Sequence, residues 1–425
     1  RVDRVTNIVI RVSLFLASVI NRRITAMLVQ NNKNQCKDNN LLHVSHFVGL
    51  SGVGGVQRNF VEYINSRTVL ESDSSFFHKI YTLGSVDSQY KLKKEVFDIK
   101  RLTNLLSLIL DITSRNKIVH FYNNLTSIKV VIFLFLLPVH NLILHERGVI
   151  WNLPYFRRPL LLFVIWKARL VLTNSNATKI MLEKKFNITS KKIRVIHNGI
   201  DTTSKCTKKL LHNKSPFFCI GFIGRLDTPK GVHVLIEAMH YLSGKNIKLV
   251  IAGDGILEDS LKEQAKGCKN ISFVGRVENP YRFLSSIELL VVPSIREPLG
   301  NVCLEAGLCR TPVLAANIDG IPEIIKNKVT GELINATDRI STHVPKGAVP
   351  LPNFVVNPTN QRLQIPRQVN SFLLARKILE LSKSPKLLVC YAENLHSEVM
   401  SYFNIDRFSS ELHTVYREIY SAPTN

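Results

Sequence analysis

Short apolar, β-branched runs alternate with stretches of helical period along nearly the whole chain, and this alternation limits the possible folds more than any other feature. The runs are Leu41–Val48, Ile80–Leu83, Lys117–Tyr122, Asn141–His145, Arg169–Thr173 and Ile193–His197, then Phe218–Gly224, Ile247–Gly253, Ile271–Val274, Glu288–Val292 and Pro312–Ala315. Strands that reach their neighbours through helices form βαβ units, and a series of such units forms a parallel sheet covered on both faces. The series divides at Asp201–Ser215, a polar, Lys-rich stretch. The fold class expected is therefore α/β, with two facing Rossmann-like domains, parallel sheets and a central cleft. The expected organisation is an N-terminal extension over 1–40, a first domain over 41–202, a second over 203–402, and a helix over 403–425 that could return to the first domain. Residues 336–370 hold five Pro and no helical period, which reads as a long surface loop inserted in the second domain.

Charge narrows the choice of partner. The chain has 56 Lys+Arg against 32 Asp+Glu, a net +24, while 45% of it is hydrophobic, which excludes a disordered polyelectrolyte. Residues 1–210 carry 32 basic and 12 acidic side chains (+20), whereas 211–425 carry 24 and 20 (+4), so the first half faces something anionic. Nucleic acid, an anionic bilayer and a phosphorylated substrate all suit that field. Basic–aromatic interleaving and nucleic-acid reading motifs are missing, which leaves nucleic acid the weaker partner.

No run reaches the roughly 18–20 apolar residues of a spanning helix, since Arg11 breaks Ile8–Ile20. Arg1, Arg4, an apolar stretch and Arg22-Arg23 imitate a signal peptide, but Arg11 and the lack of a small-residue cleavage site oppose that reading. A chain that starts with Arg also reads as a fragment or a mis-started frame. Arg157–Arg169 joins basic residues to a wide apolar face, which fits an interfacial helix or, equally, a buried helix with charged ends. Seven Cys with no Cys-x-x-Cys suggest reducing, cytoplasmic surroundings and no structural zinc.

Two motifs carry chemistry in the second half. Strand Phe218–Gly224 runs into Gly224-Arg225-Leu226-Asp227-Thr228-Pro229-Lys230-Gly231 and then an amphipathic helix with Val232, Leu235, Ile236 and Met239. Arg225 and Lys230, at a strand end beside a helix start, suit a diphosphate, although two surface cations in a loop would look the same. Strand Glu288–Val292 precedes Pro293 to Gly307, where Pro298 and Gly300 suggest a turn feeding a helix near Asn301. Free backbone N–H groups then lie between Glu297 and Glu305, placed to hold phosphate while each acid accepts from a sugar hydroxyl. A solvated Glu305 is harder to sustain beside Val302, Leu304 and Ala306.

The pattern Glu297-x7-Glu305 behind a Gly-Arg-Leu…Lys-Gly loop resembles the retaining GT-B glycosyltransferases of the family 4 type. Ile193 to Asp201, Ile251 to Gly255, Phe273 to Arg276, Gly320-Ile-Pro-Glu323 and Gly331 extend the likeness. The resemblance implies that Arg225 and Lys230 bind the donor diphosphate, Glu305 the ribose, and Glu297 the transferred sugar. It also implies that amides at Gly300 and Asn301 touch sugar or phosphate, and that Val274, Gly275, Arg276 and Val277 flank the base. In the first half, Gly49 to Arg58 opens a helix over Gln57–Asn65 and offers a close backbone approach to an anion, with Gly54 and Gly55 as the matching positions. His145, at the end of its strand, would stand by the reaction centre with Glu297, and His120 is the weaker candidate. Glu146-Arg147 departs from the family pattern, which puts the acceptor side in doubt.

No Asp-x-Asp occurs, and His and Cys show no metal spacing, so a metal-independent reaction and no cofactor are expected. The implied activity is a retaining hexosyltransferase moving sugar from a UDP- or GDP-linked donor to a glycan or lipid-linked acceptor in polysaccharide synthesis, peripheral on the inner membrane face. The alternatives are a nucleotide-sugar epimerase of the same fold and a basic nucleic-acid-binding protein.

Overall fold

The computed structural model describes residues 41–421 apart from 53, 73, 124–126, 204, 205, 207–215 and 343. The extension expected over 1–40 lies outside the described residues. Seven parallel strands form the first sheet: β1 (Leu42–Phe47), β2 (Phe76–Thr82), β3 (Val96–Asp98), β4 (Lys117–Tyr122), β5 (Leu142–Glu146), β6 (Leu170–Thr173) and β7 (Ile193–Val195). Their order is β3-β2-β1-β4-β5-β6-β7. The second sheet holds β8 (Phe218–Ile223), β9 (Ile247–Ala252), β10 (Ile271–Gly275), β11 (Leu289–Val292), β12 (Val313–Ala316) and β13 (Glu332–Ile334). Its order, β10-β9-β8-β11-β12-β13, repeats the reversal seen in the first. All these pairings are parallel, as strands linked through helices require.

At each reversal point the chain leaves two neighbouring strands in opposite directions, β1 and β4 in the first sheet and β8 and β11 in the second. A crevice opens there at the carboxyl ends. Central strands are apolar on both faces: β11 and β12 are buried throughout. Such strands lose their solvent face to helices and therefore read as unbroken apolar runs.

Residues 336–370 are not the structureless loop the Pro count suggested. They form two antiparallel ribbons, β14 (Ala336–Asp338) with β17 (Gln368–Val369) and β15 (Val355–Asn357) with β16 (Arg362–Gln364). Val355, Val356 and Val369 are fully or almost fully buried, so apolar contact fixes the insertion against its neighbours. It also reaches the first half, since Asn152 Nδ2 donates to the Pro350 carbonyl at 3.1 Å.

The helix Ile405–Ser421 lies on the first sheet although it follows the second in sequence. Phe408, Leu412, Val415 and Tyr416 share one apolar cluster with Val44, Phe60, Tyr63 and Ile80. The crossing is pinned where the Ile200 N–H donates to the Phe403 carbonyl and the Ile405 N–H to the Ile200 carbonyl. A Cβ on Gly199 would lie 2.7 Å from the Asn404 carbonyl oxygen, so the two backbones meet at a distance only glycine allows. Cys206 and Cys309 form a disulfide, which the expectation of reducing surroundings does not include.

Candidate active site

A cleft of about 810 Å³ separates the carboxyl ends of the two sheets. From the second sheet, Arg225 leaves the end of β8 and Lys230 follows on a short 3-10 turn, Thr228–Lys230, closed by Gly231 at φ +67°. A Cβ on Gly231 would sit 2.1 Å from the Pro293 carbonyl oxygen, so this loop and the one leaving β11 are pressed together. Lys230 Nζ accordingly donates to Glu297 Oε2 at 2.5 Å. Arg225, Lys230 and Glu297 all line the cleft.

Glu297 is 8% exposed and held from behind. Its backbone N–H donates to Asp319 Oδ2 at 3.0 Å, while Asp319 Oδ1 accepts from Val356 N at 2.7 Å and Trp151 Nε1 at 3.2 Å. One buried carboxylate thus ties the loop after β11 to the insertion and to the first half. Burial pushes the Asp319 carboxyl up to about 7, opposed by these donors.

Gly300 adopts φ +99°, a left-handed turn that glycine enters without penalty, and starts the helix Asn301–Leu308. As N-cap, Gly300 offers no side chain to the first N–H groups, and Gly300 and Asn301 line the cleft. Glu305 lies further along the same helix, its side chain 16% exposed, with Oε1 accepting from Arg58 Nη1 at 3.5 Å. Burial raises the Glu305 carboxyl, and Arg58 opposes the rise.

The first sheet contributes Gly54 and Gly55, which begin the helix Gly55–Asn65. A Cβ on Gly55 would lie 2.8 Å from Asn301 Nδ2, so the close approach expected of this loop is made to the start of the facing helix. Asn198 Nδ2 crosses to Asn301 Oδ1 at 2.7 Å. Glu323 closes the same seam from the other side, accepting from Asn176 N, Ala177 N and His197 Nε2 at 2.7–2.9 Å.

Three expectations are corrected. His145 does not line the cleft: β5 continues through Glu146, so the His145 ring is still inside the sheet, fully buried and stacked on His120 at 5.3 Å. The chain reaches the cleft two residues later, at Arg147 and Gly148. His120 is equally enclosed and pairs with the Tyr416 hydroxyl at 2.7 Å. Val274 and Gly275 also miss the cleft, because β10 runs to Gly275 and turns Val274 outward at 49% exposure. Arg276 and Val277 do reach it.

The sequence motifs assign no role to Arg58, Glu62, Arg147 or Asp319. Arg58 carried a signal, standing one turn after the glycine loop, as did Asp319 immediately before Gly320-Ile-Pro-Glu323. Glu62 lines the cleft and burial pushes its carboxyl up to about 8. Among the described residues no group of three or more His, Cys, Asp or Glu is arranged to hold a metal ion.

Two facing parallel sheets with paired cations, paired acids and a bare helix start between them define the two-domain GT-B class of glycosyltransferase. A family model described as glycosyl transferases group 1 matches residues 205–344, and one described as Glycosyltransferase Family 4 matches residues 101–204. The chain belongs to the group 1, family 4 glycosyltransferases. An uncharacterized glycosyltransferase of Methanocaldococcus jannaschii is 35% identical over 177 residues, covering 38% of this chain and 45% of that protein. The N-acetylgalactosamine-N,N'-diacetylbacillosaminyl-diphospho-undecaprenol 4-alpha-N-acetylgalactosaminyltransferase of Campylobacter jejuni is 32% identical over 156 residues, 36% of this chain and 42% of that one. The chain thus spans under half the length of these curated relatives. The fold is shared with Anabaena HepE, solved in complex with UDP and glucose, at a TM-score of 0.66 and 18% identity over 89% of this chain and 100% of that one.

Proposed function

We propose that this protein moves a sugar from a UDP- or GDP-linked donor to a glycan or lipid-linked glycan in polysaccharide synthesis, with retention of configuration and with neither metal nor cofactor. The observation that carries the reading is the meeting, in one cleft, of Arg225, Lys230 and the uncapped start of the Asn301–Leu308 helix with Glu297 and Glu305 on either side. Arg225 and Lys230 take the diphosphate oxygens. Glu297 accepts from Lys230; a diphosphate competes for that ammonium and frees the carboxylate to accept from the sugar. Glu305 accepts from the ribose. As the glycosidic bond to the diphosphate breaks, the acceptor oxygen attacks the same face of an oxocarbenium-like centre, and the departing diphosphate oxygen takes its proton. The HepE complex with UDP and the undecaprenol-linked acceptor named for the Campylobacter relative support the donor and acceptor classes.

Contact with an anionic membrane is part of the proposal. The helix Arg158–Lys167 buries Leu161, Val164 and Ile165 but leaves Trp166 68% exposed, with Phe156 77% exposed beside it. Ile132 and Phe135 of the adjoining helix Ile128–Phe135 are exposed as well. Among the described residues no helix is long and apolar enough to cross a membrane. The Cys206–Cys309 bridge does not favour reducing surroundings.

Calorimetry on Arg225→Ala and Lys230→Ala tests the diphosphate assignment. Each variant should bind UDP or GDP more weakly by about 1.5–3 kcal/mol, the worth of a hydrogen bond to a charged group. Unchanged affinity in both would remove the basis of the proposal.

A further inference from the structure

Arg147 is 7% exposed yet forms part of the cleft wall, directly after β5. Its Nη2 donates to Asn59 Oδ1 and to Asn198 Oδ1. Each of these amides is itself fixed, Asn59 through the Gly199 carbonyl at 2.6 Å and Asn198 through Asn301 at 2.7 Å. The guanidinium is therefore held at Nη2 by two amides that are themselves hydrogen-bonded. Its Nε and Nη1 are buried and have no partner.

Among the described residues Arg147 forms no ion pair. Glu62 is the acid that acts on it electrostatically, and burial pushes that carboxyl up to about 8, so it is mostly uncharged at neutral pH. A buried guanidinium held by two neutral amides is an unfavourable arrangement unless an anion completes it. Arginine also retains its proton in such a place where lysine would give it up, which makes it a dependable anion ligand. Donor contacts in the proposed reaction come from Arg225 and Lys230 on the opposite wall and leave Arg147 unused.

We propose that Arg147 is the cation of a second oxyanion subsite, on the first-sheet wall of the cleft, which takes a phosphoryl or carboxylate group at its guanidinium. The inference rests on the reading of the cleft as a diphosphate site and deepens it. Two sources supply the same chemistry: the donor diphosphate gripped from both walls, or an anionic group carried by the acceptor. In either case the subsite makes the first sheet respond to charge in the cleft, because Arg147 is linked through Asn198 to Asn301 at the start of the facing helix.

The test compares the full chain with Arg147→Met, Arg147→Lys and Arg225→Ala. Calorimetry with inorganic pyrophosphate reads the donor arm, and inorganic phosphate titrated onto pyrophosphate-saturated protein reads the acceptor arm. Removal of a hydrogen-bonded cation should weaken one of the two by roughly ten- to hundredfold in Arg147→Met, and less in Arg147→Lys. Thermal melting of the ligand-free Arg147→Met protein should be unchanged or raised, since an unpaired buried charge is lost. Loss of pyrophosphate binding assigns the subsite to the donor, and loss of the phosphate alone assigns it to the acceptor. If Arg225→Ala weakens pyrophosphate while both Arg147 variants keep both affinities and melt lower, Arg147 only holds Asn59 and Asn198 together and the subsite is overturned. If wild type binds neither probe, the diphosphate reading falls and the subsite with it. Arg147→Lys retains the charge, so it decides the matter should Arg147→Met not fold.

Discussion

Glu297 lies 2.5 Å from the Lys230 ammonium, while Glu305 faces Arg58 across 3.5 Å, and the proposed function assigns the two acids separate duties. Glu297→Gln should slow turnover roughly ten- to hundredfold and leave nucleoside diphosphate affinity nearly intact, whereas Glu305→Gln should weaken both by a similar factor. Calorimetry beside initial rates separates them; nucleoside diphosphate affinity lost only in Glu297→Gln would reverse the assignment. Glu62 makes a prediction of another kind. Its folded pKa is raised to about 8 from 4.5, so its contribution favours the fold below 4.5 and is lost as pH rises through 8. Glu62→Gln should therefore gain on wild type by about 2–4 kcal/mol between pH 5 and 8.5, a figure reduced for the group's partial exposure, as followed by urea denaturation at each pH. A constant difference would show that Glu62 does not titrate in that window. Residues of this sort are hard to see in the sequence. Arg225, Lys230, Glu297 and Glu305 stand in local motifs whose spacing is legible, but the raised pKa of Glu62 depends on enclosure by distant segments. His145 fails for the opposite reason: its strand runs one residue further than the apolar pattern suggests, which keeps the ring inside the sheet.

At the scale of elements, the central strands are legible because burial on both faces makes them continuous apolar runs, and Lys117–Tyr122 coincides with β4 in full. The edge strands Val96–Asp98 and Glu332–Ile334 escape a sequence reading, being three residues long and only partly buried, which leaves little pattern to read. The ribbons of 336–370 escape it because Pro marks turns as readily as it marks loops, and what orders them is contact with segments far away in sequence. The helix Asn301–Leu308 carries the prediction at this scale. Its N-cap Gly300 offers no side-chain cap, so the positive end of its dipole would favour the charge that the proposed reaction gathers on a leaving diphosphate. With Arg225 and Lys230 beside it, activity should survive EDTA. Complete loss on chelation, restored by magnesium or manganese, would mean that a metal stabilises the leaving group instead.

Over the whole molecule, charge and apolar surface coincide in the first half: residues 1–210 carry 32 basic against 12 acidic side chains, and Phe135, Phe156 and Trp166 are exposed there. Vesicles with anionic lipid should bind the protein and release it in high salt, since surface attraction is screened beyond a Debye length of about 10 Å at 0.1 M. Sedimentation with neutral and anionic vesicles checks this, and equal binding to both, or to neither, would sink it. The return of Ile405–Ser421 to the first sheet bears on how such a protein is made. A ribosome releases Val44, Phe60 and Tyr63 early, but the helix that covers them leaves the exit tunnel only after the whole second sheet has been translated. Until then the nascent first half carries an open apolar face, the kind of surface that chaperones hold and aggregates form from. Any pause in translating the second half lengthens that exposure, so the yield of active protein is tied to the speed at which the covering helix is delivered.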